Sequence, residues 1–226
     1  MTSQKKVLLL YVFVAIIELL SIVTDWTHLR HFTKPLLMPI LMTYVWIVVR
    51  NGAPYLMGAL FFSWLGDVAL MYDTLRSIYF IIGLSAFLIS HILYIKCYVR
   101  GRNLMVERPH STAVWIFSLL AVVSGTLLLL YLTPYLEDLL IPVYIYGIIL
   151  TTMLIAAIHR SGKTNPSSFQ LVVTGALFFM ISDSLLAINK FAIPIYQSGI
   201  LIMVTYLIAQ LLIARGILTH YQKDLI

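Results

Sequence analysis

The stretch from Phe178 to Phe191, FFMISDSLLAINKF, decides what kind of fold this chain can adopt. It is an apolar run that carries one carboxylate, Asp183, deep inside it. Such a run predicts a membrane-spanning helix, and an ionisable residue inside the membrane is costly enough that it usually marks a functional site. A second stretch, FFSWLGDVAL at Phe61–Leu70, has the same plan around Asp67. Two buried carboxylates in matching settings indicate a paired site.

The composition of the whole chain is typical of a membrane protein. Of its 226 residues, 61% are hydrophobic and 11% are charged, with a mean hydropathy of +0.96. No soluble domain needs so much apolar surface, so we predict an all-α polytopic membrane helix bundle that forms a single integral membrane domain over residues 1–226. The net charge of +6 is explained by basic residues in cytoplasmic loops and calls for no nucleic-acid partner. With a single cysteine, Cys97, the chain has no intramolecular disulfide and no cysteine zinc cluster.

Eight apolar segments joined by short connections predict eight transmembrane helices. The second segment is short for a span and is expected to be tilted or extended at its ends, with Lys34 and Pro35 in the connection before it. The predicted segments are 7–24, 36–50, 54–72, 77–99, 112–132, 139–158, 168–188 and 195–217.

Lysine and arginine are unevenly divided between the two sides that these spans define. Eleven of the fifteen fall on the side of the termini, and four fall on the other: Arg30, Lys34, Arg76 and Lys190. Because cytoplasmic loops collect positive charge, both termini are predicted to be cytoplasmic, in the plasma (inner) membrane if the source is bacterial.

Asp67 and Asp183 then lie on helices 3 and 7, which run in the same direction. At 1.5 Å per residue, each carboxylate is ~20 Å or a little more from the inner end of its helix. Tyr94 follows Asp67 by 27 residues, and Gln210 follows Asp183 by 27, on the next helix in each case. These matches suggest a 4+4 parallel repeat of helices 1–4 and 5–8.

Other polar residues in the spans could surround the two carboxylates. Ser63 lies one turn from Asp67, and Gly66 permits close helix approach. Taken singly, Ser, Tyr and Gln in membrane helices usually hydrogen-bond to a neighbouring helix, and a lone His usually packs. Glu18 and Asp25 of helix 1 are expected to face water near the outer surface. The remaining polar candidates on helices 4, 6, 7 and 8 are His91, Tyr94, Tyr144, Tyr146, Ser182, Tyr206 and Gln210.

A pair of carboxylates is compatible with three kinds of chemistry. Close together in a low dielectric both cannot stay ionised, so one keeps its proton, and the pair can protonate a substrate and stabilise the resulting cation. The pair can also bind a metal ion or relay protons in a transporter. A zinc site of Asp67, Asp183 and His91 has no supporting ligand spacing, so neither metal nor cofactor is predicted. The chain also has no nucleophile elbow, P-loop or dinucleotide fingerprint.

Six pieces of the chain, in order, resemble the YhhN-like lysoplasmalogenases, multispanning membrane hydrolases. The resemblance is most specific in GALFFMISDSLLAINKF followed by YLIAQ, and it runs over about residues 34–213. The matching pieces are Lys34-Pro35-Leu36, FFSWLGDVAL at 61–70, FLISHILY at 87–94, PVYIYGIIL at 142–150, GALFFMISDSLLAINKF at 175–191 and YLIAQLLI at 206–213.

The resemblance implies hydrolysis of the vinyl ether bond of lysoplasmalogen, a lyso-ether phospholipid, to a fatty aldehyde and glycerophosphoethanolamine or glycerophosphocholine. It implies that Asp67 and Asp183 are catalytic as acid and as cation-stabilising carboxylate, in an order left open, with His91 assisting proton transfer. Lys34 and Lys190 are expected to hold the lipid phosphate, with snorkelling to the interface as the alternative. The residues expected to bind substrate are Lys34, Ser63, Tyr94, Tyr144, Ser182, Asn189, Lys190, Tyr206 and Gln210.

A proton-coupled transporter or a lipid-binding membrane protein would use the same carboxylates. The spans lack the helices broken by Gly and Pro that are typical of carriers, which favours the enzyme. The expected partners are the lysolipid and membrane lipids. The oligomeric state is left open, a homodimer included.

Overall fold

A computed structural model of the chain describes residues 2–50, 53–73, 75–101 and 111–223. Over these residues the protein is all-helical, as predicted. A short 3-10 stretch precedes α6, and a π-helical turn, Ile188–Ala192, follows α7. The α-helices are α1 Ser3–Val23, α2 Thr27–Val49, α3 Pro54–Leu70, α4 Ser77–Arg100, α5 Thr112–Leu132, α6 Leu140–Ile158, α7 Pro166–Ala187 and α8 Ser198–Lys223.

Seven of the helices in the described ranges are long and apolar enough to cross a membrane. The remaining one, α3, has 17 residues, which at 1.5 Å per residue is about 25 Å. The chain is therefore a multi-pass membrane protein, while the number of eight spans and the 4+4 repeat stay predictions. Arg102 and Arg108, two of the cations on which the predicted orientation depends, lie outside the described residues.

The chain divides into two compact units, Met1–Tyr94 and Ile95–Ile226. The first contains α1, α2, α3 and most of α4, and it carries Asp67. The second contains the end of α4 and helices α5 to α8, and it carries Asp183. Each unit therefore supplies one of the two intramembrane carboxylates.

Helix α2 begins at Thr27, well before the predicted segment, so the prediction that Lys34 and Pro35 lie in a connection is wrong. The helix continues through Pro35 and Pro39. Proline has no N–H, so Pro39 cannot donate to the carbonyl of Pro35 one turn earlier. The indole Nε1 of Trp64 in α3 donates to that carbonyl at 2.9 Å instead. A side chain from another helix thus replaces the missing backbone hydrogen bond, which an apolar surrounding requires.

In the first unit, α3 and α4 approach closely at two glycines. A Cβ atom at Gly66 would lie 2.6 Å from the ring of Phe87, and one at Gly83 would lie 2.8 Å from Leu70. The expectation that Gly66 permits close helix approach is confirmed, and this contact lies directly beside Asp67.

In the second unit, a fully buried arginine holds one end of the helices together. Arg160 is 1% exposed, and its Nη2 donates to the hydroxyl of Ser168 at 2.8 Å. Ser168 in turn donates to the carbonyl of Gly216 in α8 at 2.6 Å. The Arg160 guanidinium lies 5.7 Å from the ring centroid of Tyr98, a cation–π distance. These contacts join the end of α4, the start of α7 and the end of α8.

Replacing Gly175 with alanine should destabilise the packing of α7 against α8. A Cβ atom there would lie 2.9 Å from the backbone nitrogen of Ile213 and 3.0 Å from the carbonyl oxygen of Ala209, and backbone atoms cannot move aside cheaply. We expect Gly175→Ala to lower the free energy of unfolding by about 1–3 kcal/mol, the usual cost of overpacking. The measurement is the thermal unfolding midpoint of the detergent-purified protein.

Gly147→Ala in α6 is the matched control. Its nearest contact, at 2.9 Å, is the end of the flexible Leu129 side chain, which can turn away. We expect this variant to keep the wild-type midpoint or to gain slightly from the better helix propensity of alanine. Equal midpoints for the two variants would contradict the backbone contact at Gly175.

Candidate functional site

The first half of the candidate site surrounds Asp67 in α3, which is only 4% exposed. Ser63, one turn earlier on the same face, forms a hydrogen bond to the hydroxyl of Ser90 in α4 at 2.8 Å. Ser90 donates its own proton to the carbonyl of Ala59 at 2.8 Å, so Ser63 is the donor in the pair. The two serines therefore tie α3 to α4 one to two turns before Asp67, and Ser63 helps to position the helix that carries the carboxylate.

Further polar residues are buried in the same unit. His91 and Tyr94, both predicted site residues, are fully buried in α4. Tyr11 of α1 is also buried and lies within electrostatic range of Asp67. Sequence reasoning missed Tyr11, although a signal was present: Tyr11 and Glu18 are seven residues apart and lie on one face of α1.

Glu18 does not face water, so that expectation is wrong. It is fully buried, and its carboxylate accepts hydrogen bonds from Thr33 Oγ1 at 2.5 Å and from Arg30 Nε at 3.4 Å. The reason is the early start of α2, which brings Arg30 and Thr33 alongside the last turns of α1. A buried carboxylate needs such partners, since an isolated charge in this setting would be very costly.

Lys34 lies in the second turn of α2, is half-buried, and borders a cavity near the end of α3. Arg30, His31 and Asp73 border the same cavity. The sequence had indicated Lys34 for phosphate binding but had given no reason to group it with these three residues. Their proximity follows from the helical path of residues 27–34, which had been predicted as a connection.

The second half of the site surrounds Asp183 in α7. The hydroxyl of Tyr146 in α6 donates to Asp183 Oδ2 at 2.5 Å. Tyr144, the predicted substrate-binding residue, forms a hydrogen bond to Thr133 Oγ1 at 2.7 Å. Residues that are two positions apart on a helix differ by about 200° around its axis, so the two tyrosines point to opposite sides of α6. Tyr146 is thus the side chain that orients Asp183, and a role of Tyr144 toward substrate stays a prediction.

The predicted residues of α8 lie together against α7 in the second unit. Gln210 Nε2 donates to the hydroxyl of Tyr206 at 3.1 Å, as expected for residues one turn apart. The Tyr206 ring meets Phe179 of α7 edge-on, with centroids 5.5 Å apart. Ser182, beside Asp183, donates to the carbonyl of Ile202 at 3.0 Å. The aromatic contact and the Ser182 hydrogen bond therefore both hold the helix that carries Asp183 against α8.

A π-helical turn, Ile188–Ala192, ends the helix that carries Asp183. Asn189 Oδ1 accepts a hydrogen bond from the backbone nitrogen of Ile195 at 2.9 Å, which closes the chain reversal toward α8. Lys190 is exposed at this turn. Such π-helical turns are rare in proteins, and those that occur often lie at functional sites. In the described part of the chain, no group of three or more His, Cys, Asp and Glu side chains could hold a metal ion.

Comparison with known proteins assigns the chain to one group. The YhhN family matches residues 29–217, which includes every candidate site residue named above except Tyr11 and Glu18. Lysoplasmalogenase TMEM86B of Homo sapiens is 32% identical over 187 residues, covering 77% of this chain and 69% of that protein. The Rattus norvegicus protein of the same name is 29% identical over 205 residues, covering 87% and 78%. Lysoplasmalogenase TMEM86A of Homo sapiens is 31% identical over 174 residues, covering 74% and 67%. No solved structure matches the chain.

Tyr146→Phe should destabilise the second unit by leaving Asp183 short of a donor. Hydrogen bonds to charged or buried acceptors usually contribute about 1–3 kcal/mol, so we expect a loss of that order in the free energy of unfolding. Tyr144→Phe is the matched control, since it removes a neutral hydrogen bond on the other side of α6 and should cost about 1 kcal/mol or less. Unfolding curves of the detergent-purified variants measure both changes. A greater loss of unfolding free energy in the Tyr144 variant would contradict the role of Tyr146.

Proposed function

The chain belongs to the YhhN family, and from that membership we propose that it is a membrane-embedded hydrolase that cleaves the vinyl ether bond of lysoplasmalogen. The names of its relatives, lysoplasmalogenases TMEM86A and TMEM86B, supply the substrate class. The observation on this chain that carries the proposal is the presence of two intramembrane carboxylates, a buried Asp67 in α3 and a tyrosine-held Asp183 in α7. The names of the relatives do not favour the alternative function, a proton-coupled carrier.

The proposed reaction consumes one water and needs one acid and one carboxylate. The acid transfers its proton to the β-carbon of the vinyl ether, and the electrons of the C=C bond form the new C–H bond. The α-carbon becomes an oxocarbenium ion, which the second carboxylate stabilises. Water adds to that carbon and returns one proton to the enzyme, which gives a hemiacetal. The hemiacetal breaks at the bond to the glycerol oxygen, which takes up a proton, and a fatty aldehyde leaves together with the glycerophospho-alcohol.

Asp67 and Asp183 fill the two carboxylate roles in this scheme, in an order that remains to be assigned. Tyr146 fixes the orientation of Asp183 through its hydrogen bond to Oδ2. His91 assists proton transfer to or from the water, and Tyr94, Tyr206 and Gln210 orient that water. Ser63 and Ser182 hold the helices that carry the two aspartates. Acid–base chemistry requires side chains that are held in place, because a small misplacement of the acid lowers the rate strongly.

The polar residues toward the ends of the helices complete the proposed substrate site. Lys34 and Lys190 bind the lipid phosphate as point charges. Tyr144 and Asn189 are further substrate-binding residues. On the basis of the charge count, both termini face the cytoplasm, and a bacterial source would place the protein in the inner membrane. The products are a fatty aldehyde and glycerophosphoethanolamine or glycerophosphocholine.

Asparagine at either aspartate should abolish most of the activity while preserving the shape of the side chain. A positioned general acid or base usually contributes 10²–10⁴-fold, so we expect Asp67→Asn and Asp183→Asn each to lower aldehyde release by about that factor. If both residues serve one chemical step, the double variant should lose little more than the worse single variant. The measurement is aldehyde release from lysoplasmalogen by the detergent-purified protein, with thermal unfolding as the check on folding.

Asp138→Asn is the matched control, because Asp138 is an exposed carboxylate in the 3-10 stretch before α6. It should retain wild-type activity. Full activity in both aspartate variants would show that the carboxylates are not the acid and the stabilising group. Absence of aldehyde release from the wild-type protein, with proton-dependent uptake of lysolipid in vesicles, would identify a carrier instead.

The site of protonation can be read from the product. In D₂O the proposed scheme places one deuterium on the carbon next to the aldehyde group, because the acid delivers a solvent-derived proton to the β-carbon. In H₂¹⁸O it places the label in the aldehyde oxygen and none in the glycerol oxygen. Mass spectrometry of the aldehyde, reduced immediately to the alcohol to prevent exchange, measures both labels. Label in the glycerol hydroxyl would show that water attacks the other carbon of the ether and would overturn the scheme.

A further inference from the structure

A cavity of about 390 Å³ lies within the first unit, between the start of α2 and the end of α3. Its α2 wall consists of Thr27, Arg30, His31 and Lys34. These four residues follow the spacing i, i+3, i+4, i+7, so they form one continuous face of the helix over two turns. Leu70, Met71 and Asp73 close the cavity from the α3 side. One wall is thus basic, and the opposite wall ends in a carboxylate.

We propose that this cavity binds the zwitterionic head group of the lysolipid, with the phosphate at Arg30 and Lys34 and the ammonium group at Asp73. This inference rests on the proposed function for the class of lipid and adds how its head group is recognised. It assigns Arg30 and Asp73 to substrate binding, which sequence reasoning did not.

The buried carboxylate of Glu18 holds the Arg30 side chain in a position to bind an anion. Its Nε lies 3.4 Å from Glu18 Oε1, while its side chain remains 36% exposed. That contact uses Nε, and the Arg30 side chain also borders the cavity. Thr33 Oγ1 holds the other oxygen of Glu18 at 2.5 Å. Because a planar guanidinium held along one edge can bind phosphate oxygens along the other, Glu18 acts as a positioning residue for Arg30.

Lys34 supplies the second positive charge on the same face. It is half-buried, and within the described ranges no ion pair joins it to a carboxylate. A phosphate placed between Arg30 and Lys34 would lie beside two cations that are one turn apart, about 6 Å along the helix axis. Asp73 across the cavity would repel a second negative charge, so the cavity selects a phosphodiester with an ammonium group over a bare phosphate monoester.

The position of the cavity on α3 also agrees with the length of the substrate. Leu70, the last residue of α3, and Met71, directly after it, follow Asp67 by three and four residues, about 4.5–6 Å farther along the axis. In a lysolipid, five single bonds of about 1.5 Å separate the phosphorus from the ether oxygen at the first glycerol carbon, a reach of ~6 Å. A phosphate bound in the cavity therefore places the vinyl ether bond at the depth of Asp67.

Equilibrium binding of two saturated ether lysolipids tests the assignment without any turnover. The probes are 1-O-alkyl-glycero-3-phosphoethanolamine and the corresponding 1-O-alkyl-glycero-3-phosphate, which have no vinyl ether bond and differ only in the ethanolamine. We expect the wild-type protein in detergent to bind the phosphoethanolamine at least tenfold more tightly, the usual effect of avoiding a like-charge contact. Equal affinities would overturn the zwitterion assignment.

Single variants separate the two charges of the head group. Lys34→Gln should weaken the binding of both probes by about tenfold, the effect of losing one charged hydrogen bond. Asp73→Asn should weaken the phosphoethanolamine alone and abolish the preference. Glu18→Gln should weaken binding in wild type but have no further effect in an Arg30→Gln background, because it acts through Arg30. Additive losses from these two changes would show that Glu18 has only a structural role.

Arg76→Gln is the matched control, since Arg76 is exposed just beyond α3 and does not border the cavity. It should leave both affinities unchanged, and a loss equal to that of Lys34→Gln would show a diffuse charge effect and overturn the site. Competition by diacyl phosphatidylethanolamine as effective as the lysolipid would show a general membrane-lipid site and overturn its assignment to substrate. Selective binding by a protein that releases no aldehyde from lysoplasmalogen would refute the hydrolase and leave the head-group site standing.

Discussion

Polar groups inside a membrane-spanning bundle must find their partners within the chain, because the hydrocarbon around them offers no hydrogen bonds. Within each unit, hydrogen bonds between neighbouring helices satisfy this requirement. Trp64 of α3 donates to the carbonyl that Pro39 leaves unpaired in α2, and Tyr146 of α6 donates to Asp183 of α7. A shift of either helix pair would strand a buried polar group at a cost of several kcal/mol. The same constraint therefore stabilises the packing and fixes the directions in which the side chains of the candidate site point.

The helices themselves could be predicted from the sequence, because spanning length and apolarity are properties of each segment alone. Helix α5, Thr112–Leu132, has the predicted bounds, and α6 begins within one residue of its prediction. The pairing of Tyr206 with Gln210 followed from helical spacing, and the close helix approach at Gly66 followed from its lack of a side chain. The burial of Asp67 followed from its place in the middle of an apolar run. What depended on local pattern was thus within reach of the sequence.

The features that escaped prediction depend on a partner from another helix. The start of α2 was misplaced because Lys34 and Pro35 were interpreted as a connection. Trp64, which donates to the Pro35 carbonyl and lets the helix continue, is far away in sequence. Glu18 was predicted to face water. Its partners Arg30 and Thr33 reach it because α2 begins at Thr27, earlier than predicted. Whether Tyr144 or Tyr146 contacts Asp183 depends on the rotation of α6 relative to α7. The sequence pattern within α6 does not determine that rotation. In each case the missing information was a long-range contact.

An amphiphilic substrate imposes its own order on the polar groups that bind it, since its charge lies at one end and its reactive bond a fixed distance away. Helix α3 and the turn that follows it reproduce that order, with Asp67 inside the bundle and Leu70, Met71 and Asp73 bordering the basic face of α2. From Asp67 to Leu70, the last residue of α3, the 1.5 Å rise per residue of the helix fixes the distance. Under the proposed function, the spacing between the head-group cavity and the aspartate selects the ether bond at the first glycerol carbon. A bond farther along the chain would lie beyond the level of Asp67, so the same geometry that binds the head group also decides which bond is cleaved.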